Sequence, residues 1–204
     1  MTPEEVFQKE INSVISLFSS GNVKEALNNA LALSKTYPNE ASLFNVCGAC
    51  FAGLGQYNEA VESYKKALFI KPDYAKVHFN LAGTLQDLGK LKDAVKSYKS
   101  ALKIDPSYAE AYNNLGNVLK DLNHIDDAVK CYRKAVEINP DYIEAYYSLG
   151  NAYQDLGKLD DAVENFKVVL ALRPNFAEMH NNLGIVLQQL DRSESAVNLS
   201  LIHI

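Results

Sequence analysis

The residues best equipped for chemistry in this chain are three cysteines, four histidines, a spread of carboxylates and a recurring set of asparagines. Cys47-Gly48-Ala49-Cys50 has the spacing of a redox dithiol, which needs one exposed thiol of depressed pKa at a helix N-terminus. Cys47 instead holds a place filled further along by Leu81, Leu115, Leu149 and Leu183, so the pair reads as packing groups. Cys131 falls at a variable position and carries no argument. His78 and His180 lie too far apart in sequence to share a metal, His124 falls in a turn, and His203 lies at the chain's end. No phosphate-binding glycine loop, nucleophile elbow or convergent acid pair appears. No catalytic residue, metal site or cofactor is therefore expected. The asparagines differ, because they keep time: Asn80, Asn114 and Asn182 recur at 34-residue intervals or twice that, with Asn12 ahead of them. Asn117 and Asn151 sit one helical turn along from the same line. A neutral amide carries both donors and an acceptor, so a column of them can hold a peptide backbone whatever its side chains.

The elements that must position this column follow from a second set of residues. Prolines at 38, 72, 106, 140 and 174 are each 34 residues apart. A fixed period of this length means one small unit stacked repeatedly, a design that holds other molecules rather than transforming them. With proline as position 32, repeats begin at Phe7, Ala41, Ala75, Ala109, Ile143 and Ala177. Position 8 is Gly48, Ala82, Gly116, Gly150 and Gly184, and position 20 is alanine in all six, Ala26 to Ala196. Position 24 carries Tyr64, Tyr98, Tyr132 and Phe166. Small residues let two helices approach, and the rings fill the remaining space. Position 33 (Asn39, Asp73, Ser107, Asp141, Asn175) predicts helix N-caps. Glutamate follows three residues later in Ser107–Glu110, Asp141–Glu144 and Asn175–Glu178, as in a capping box. Position 15 is Gly21, Gly55, Gly89, Asn123, Gly157 and Asp191, types that tolerate a left-handed turn. Each repeat thus reads as helix A, tight turn, helix B, short turn.

Composition narrows the partner. The chain is 48% hydrophobic and 22% charged, with a net charge of −5 and no lysine or arginine run. Nucleic-acid backbones need clustered positive charge, so they are not expected partners. The longest apolar stretches, such as Val168 to Leu172, are far short of the roughly 18–20 residues of a membrane span. The N-terminus lacks the basic start and apolar core of a secretory signal. Three unpaired-looking cysteines fit a reducing, cytoplasmic setting.

This pattern resembles the tetratricopeptide repeat, over residues 7 to about 198. The resemblance implies an all-α, right-handed α-solenoid of antiparallel helix pairs, with helix A lining a concave groove. Residues 1–40 form a divergent first repeat, with Glu10, Ser13 and Val14 where an aromatic, a leucine and a glycine belong. Residues 41–176 hold four consensus-like repeats, and 177–198 a truncated sixth. Residues 199–204 resemble the translated end of a sequencing adapter and read as foreign to the natural protein, which makes the chain a fragment of a longer gene. Position 24 there is Ser200 and position 27 His203, where an aromatic and a small residue belong.

The asparagine column is similar to the ladder in the repeat domain of O-linked N-acetylglucosamine transferases. It carries over to Asn80, Asn114 and Asn182, and weakly to Asn12, while Val46 and Ser148 interrupt it. Phe79 and Tyr147 would tune side-chain preference, and Asp87, Asp121 and Asp155 would give the groove an acidic border. Position 5 offers no cation, so a clamp for a terminal carboxylate is not expected; Lys76 and Lys120 stand alone. The expected function is a scaffold binding an extended peptide or protein segment. The alternative is the substrate-recruiting arm of a larger enzyme, a glycosyltransferase before a sulfotransferase or oxygenase. The incomplete last repeat also offers a face for end-to-end self-association.

Overall fold

The 34-residue rhythm becomes a run of helix pairs. The computed structural model describes residues 2–202, and among these are eleven α-helices and no strand. They divide into two compact units, residues 1–106 and 107–204. The first unit contains α1 (Pro3–Ser19), α2 (Val23–Thr36), α3 (Ala41–Gly53), α4 (Tyr57–Ile70), α5 (Ala75–Asp87) and α6 (Leu91–Ile104). The second contains α7 (Ala109–Asp121), α8 (Ile125–Ile138), α9 (Ile143–Asp155), α10 (Leu159–Leu172) and α11 (Ala177–Ile202). Odd-numbered helices are the A helices and even-numbered ones the B helices. α1, α3, α5, α7 and α9 each pack on their own B helix, and α2, α4, α8 and α10 also pack on the odd-numbered helix that follows. Within the units α1 meets α3, α3 meets α5 and α7 meets α9, so neighbouring A helices lie side by side. The fold is an all-α repeat. The readings placed on the side chains of Ser200 and His203, and on Ile204, lie outside the described residues.

Small residues and rings do what their positions require. Ala26, Ala60, Ala94, Ala128 and Ala162 are fully buried at the A–B crossing, and Tyr64, Tyr98, Tyr132 and Phe166 are at 0–2% exposure. The fit is tight enough to exclude a methyl group. A Cβ on Gly116 would lie 2.5 Å from the Tyr132 ring, and one on Gly150 2.3 Å from Phe166. In the first unit Val14, Ala26, Leu27, Ala30, Cys47 and Cys50 form one continuous core. In the second, Phe166, Val169, Met179 and Val186 do the same.

The helix ends differ from expectation in two ways. The caps predicted at position 33 stand one residue early: the N-caps are Glu40, Tyr74, Tyr108 and Tyr142, none with a side-chain cap bond. The three tyrosines are half-buried, so packing an aromatic ring at the helix entry outweighs capping worth only about 1 kcal/mol. A capping box is instead found at Thr2, which bonds reciprocally with Glu5. The turn expected at Asp191 is also missing, and α11 runs unbroken from Ala177 to Ile202. Elsewhere position 15 takes φ of +62° to +84° in Gly21, Gly55, Gly89, Asn123 and Gly157. That conformation costs a non-glycine residue roughly 1–2 kcal/mol.

Candidate functional site

The A helices present their amides in hydrogen-bonded pairs, one between neighbouring helices and one within a helix. In the first unit Asn80 on α5 donates from Nδ2 to Asn45 Oδ1 on α3 at 2.9 Å. Both are half-buried, so the bond aligns them while leaving Asn80 its own carbonyl oxygen and a second N–H. Phe79 beside it packs edge-on against Tyr98, with centroids 5.8 Å apart. Asp87 lies exposed at the end of the same helix.

In the second unit Asn113 Nδ2 donates to Asn114 Oδ1 at 3.3 Å. Asn113 is only 5% exposed, so it serves to orient Asn114. Asn117 is occupied in holding the helix pair together. The hydroxyl of fully buried Tyr132 donates to its Oδ1 at 2.8 Å, which leaves the Asn117 NH₂ group for another molecule. Asn151, half-buried, has no side-chain hydrogen-bond partner among the described residues. Tyr147 is the hub of the next seam. Its hydroxyl accepts from Asn182 Nδ2 and donates to Glu178 Oε1, each at 3.4 Å, and its ring leans on Phe166 and Phe176. The acidic border is partly neutralised, since Lys120 Nζ lies 2.8 Å from Asp155 Oδ2, whereas Asp121 is exposed.

Four side-chain contacts between neighbouring A helices, Gln154–Gln189 among them, obey one rule. Asn45–Asn80, Tyr147–Asn182, Gln154–Gln189 and Lys120–Asp155 each join residues 35 apart. Position 5 of one repeat meets position 6 of the next, and position 12 meets position 13. Asn45 and Asn113 share position 5 and recur at twice the period, but the period compares a position only with itself and so does not pair position 5 with position 6. The Asn45–Asn80 bond spans 35 residues, one more than the period.

The other chemical candidates resolve into structural parts. Burial pushes the Cys47 thiol up to about 12, with the neighbouring Cys50 adding to it, and pushes Cys50 up to about 11. Both are free and fully enclosed, so neither supplies thiolate near neutrality. His78 Nε2 lies 2.9 Å from the Pro72 carbonyl, and His180 Nε2 lies 2.9 Å from that of Pro174. These rings donate back to the proline that closes the preceding repeat, tying the short turn to helix A. Among the described residues no group of three or more histidine, cysteine or acidic side chains could hold a metal. No described helix is long and apolar enough to cross a membrane.

Comparison with known proteins fits this geometry. A family model described as TPR repeat matches residues 50–89, 84–123, 116–157 and 150–191. Among solved structures, MamA is 28% identical, covering 80% of this chain and 95% of its own, with a TM-score of 0.73. YrrB, described as a TPR protein with an unusual peptide-binding site, is 20% identical, with coverages of 85% and 89% and a TM-score of 0.70. PilF of Pseudomonas aeruginosa is 19% identical, with coverages of 94% and 89% and a TM-score of 0.82. At those identities the last two speak for the fold alone. No curated protein matches the chain in sequence.

Proposed function

This chain belongs to the tetratricopeptide repeat family, and from that premise we propose that it binds an extended peptide or protein segment along the faces of its A helices, acting by attachment rather than by catalysis. The observation that carries this reading is the Asn80–Asn45 pair. Hydrogen-bonded side by side, the two amides are held in place yet keep free donors and an acceptor directed by their neighbours. Asn114, steadied by Asn113, and the uncommitted Asn151 supply the same chemistry in the second unit. A ligand backbone offers one N–H and one C=O per residue, so amides on successive helices can hold it irrespective of sequence. Phe79 and Tyr147 would then favour apolar or aromatic side chains, and exposed Asp87 and Asp121 a basic one. The peptide-binding site of YrrB, a protein of the same fold, lends this reading support. Free, buried thiols favour a reducing compartment such as the cytoplasm.

A displayed library of random dodecapeptides, selected on the full chain, supplies probes for a direct test. Replacing Asn45 and Asn80 together by alanine should weaken the selected peptides about thirtyfold, at roughly 1 kcal/mol per lost hydrogen bond. Helicity should not change. Undiminished affinity in the double variant removes the amides from the binding role.

A further inference from the structure

The A-helix faces leave a second feature of the first unit unexplained. Three positions that are polar or amphipathic in most other repeats carry purely apolar side chains here. Position 25 is Lys65, Lys99, Arg133 and Lys167 in four repeats but Leu31 in the first. Position 29 is Lys35, Lys103 and Glu137 in three others but Phe69 in the second. Position 4 is His78, Tyr112, Tyr146 and His180 where the second repeat has Phe44. The three departures come together where α2, α3 and α4 meet. Two adjoining clefts of about 500 and 530 Å³ share Phe44, Glu62 and Lys66; Leu31 and Phe51 line the first, Phe69 and Ile70 the second. Phe69 is 90% exposed and Leu31 39%. Single exposed apolar residues need no explanation, but a cluster built from three independent departures marks a surface meant to be covered.

What covers it follows from shape and charge. The strip carries a protruding ring, Phe69, next to an apolar hollow large enough to receive one, since ligand pockets begin at about 300 Å³. Its rim is charge-balanced, with Glu59 and Glu62 against Lys65 and Lys66. Lys65 already bridges Glu62 at 2.8 Å, and Lys66 lies over the Phe44 ring at 6.0 Å. Such a rim gives no advantage to a strongly charged segment, but it complements itself when turned by a two-fold rotation. We propose that a second copy of this chain docks here as a symmetric dimer, the Phe69 of each copy entering the Leu31–Phe44–Phe51 cleft of the other.

Sedimentation velocity of the full chain over a rising concentration series tests this. The wild-type chain should show a concentration-dependent dimer. Phe69→Lys should weaken it about a hundredfold or more, because each dimer loses two central anchors. Leu31→Lys should act in the same direction. Both introduce the residue type that neighbouring repeats carry at the same position, so circular dichroism and unfolding midpoints should hold steady. A chain that stays monomeric throughout overturns the proposal and leaves the strip to a different protein. So does a dimer that both substitutions leave intact, which would place self-association on another surface.

Discussion

Glycine at position 8 is a spatial requirement in the second, fourth and fifth repeats, where the aromatic ring at position 24 closes on it. The Tyr132 and Phe166 rings lie within 2.5 Å of where a Cβ on Gly116 or Gly150 would sit, on fully buried side chains with nowhere to retreat. The third repeat shows the alternative: Ala82 stands at position 8, and the Tyr98 hydroxyl turns to Gln86 Oε1 at 3.5 Å. Gly83 offers no acceptor where the fourth repeat has Asn117. Gly116→Ala should therefore cost about 1–3 kcal/mol through overpacking. Gly184→Ala is the counterpart, because a Cβ there meets nothing within 4 Å. It should raise stability by up to about 1 kcal/mol, the ordinary gain of alanine over glycine inside a helix. Urea midpoints of the two variants moving in the same direction would contradict the argument.

At the scale of the element, the decisive parts are the two turns of each repeat. The tight turn needs a positive φ, which glycine supplies four times and Asn123 once, at +62°. Asn123→Gly should stabilise the second unit by a few tenths to about 1 kcal/mol, as relief of left-handed strain offsets the freedom glycine adds to the unfolded chain. A thermal midpoint that falls on this change would mean that the asparagine side chain itself holds the turn. Helix periods, turn glycines and alanine–ring pairs are legible in the sequence because each repeats several times over and rests on sterics within one repeat. The caps are not, because Tyr74, Tyr108 and Tyr142 contribute more by packing than Asp73, Ser107 and Asp141 do by capping, a balance that local propensity does not register. The turn expected at Asp191 fails for a related reason: aspartate can adopt the conformation, but only packing across the turn favours it.

At the scale of the whole molecule, the candidate site is half legible. Asn80, Asn114 and Asn182 stand out at position 6, and Asn45, Asn113 and Tyr147 at position 5, but the period alone does not show that position 5 of one repeat bonds position 6 of the next, as in Asn45–Asn80 and Tyr147–Asn182. The two compact units can be followed separately through their thiols. Cys47 and Cys50 are enclosed in the first, with thiols raised to about 12 and about 11, while Cys131 in the second is half-exposed. The thiolate form is lost as pH falls below the raised pKa, so at pH 8 a buried thiol near 12 is ionised in only about one molecule in ten thousand. An aromatic disulfide reagent should then label the Cys47–Cys50 pair at least about a thousandfold more slowly than an unfolded cysteine, at the rate set by opening of the first unit. Rapid labelling of Cys47 in the native chain would mean that this core is far looser than its packing indicates.

The 35-residue offset of the lateral contacts bears on how such a surface grows. Because donor and acceptor belong to neighbouring copies of one 34-residue cassette, a tandem duplication of residues 109–142 carries Asn113 and Asn114 into the new seam together. Each added cassette arrives able to join the one before it, so the chain can be extended in steps of a single repeat without any new recognition chemistry having to be invented at the join.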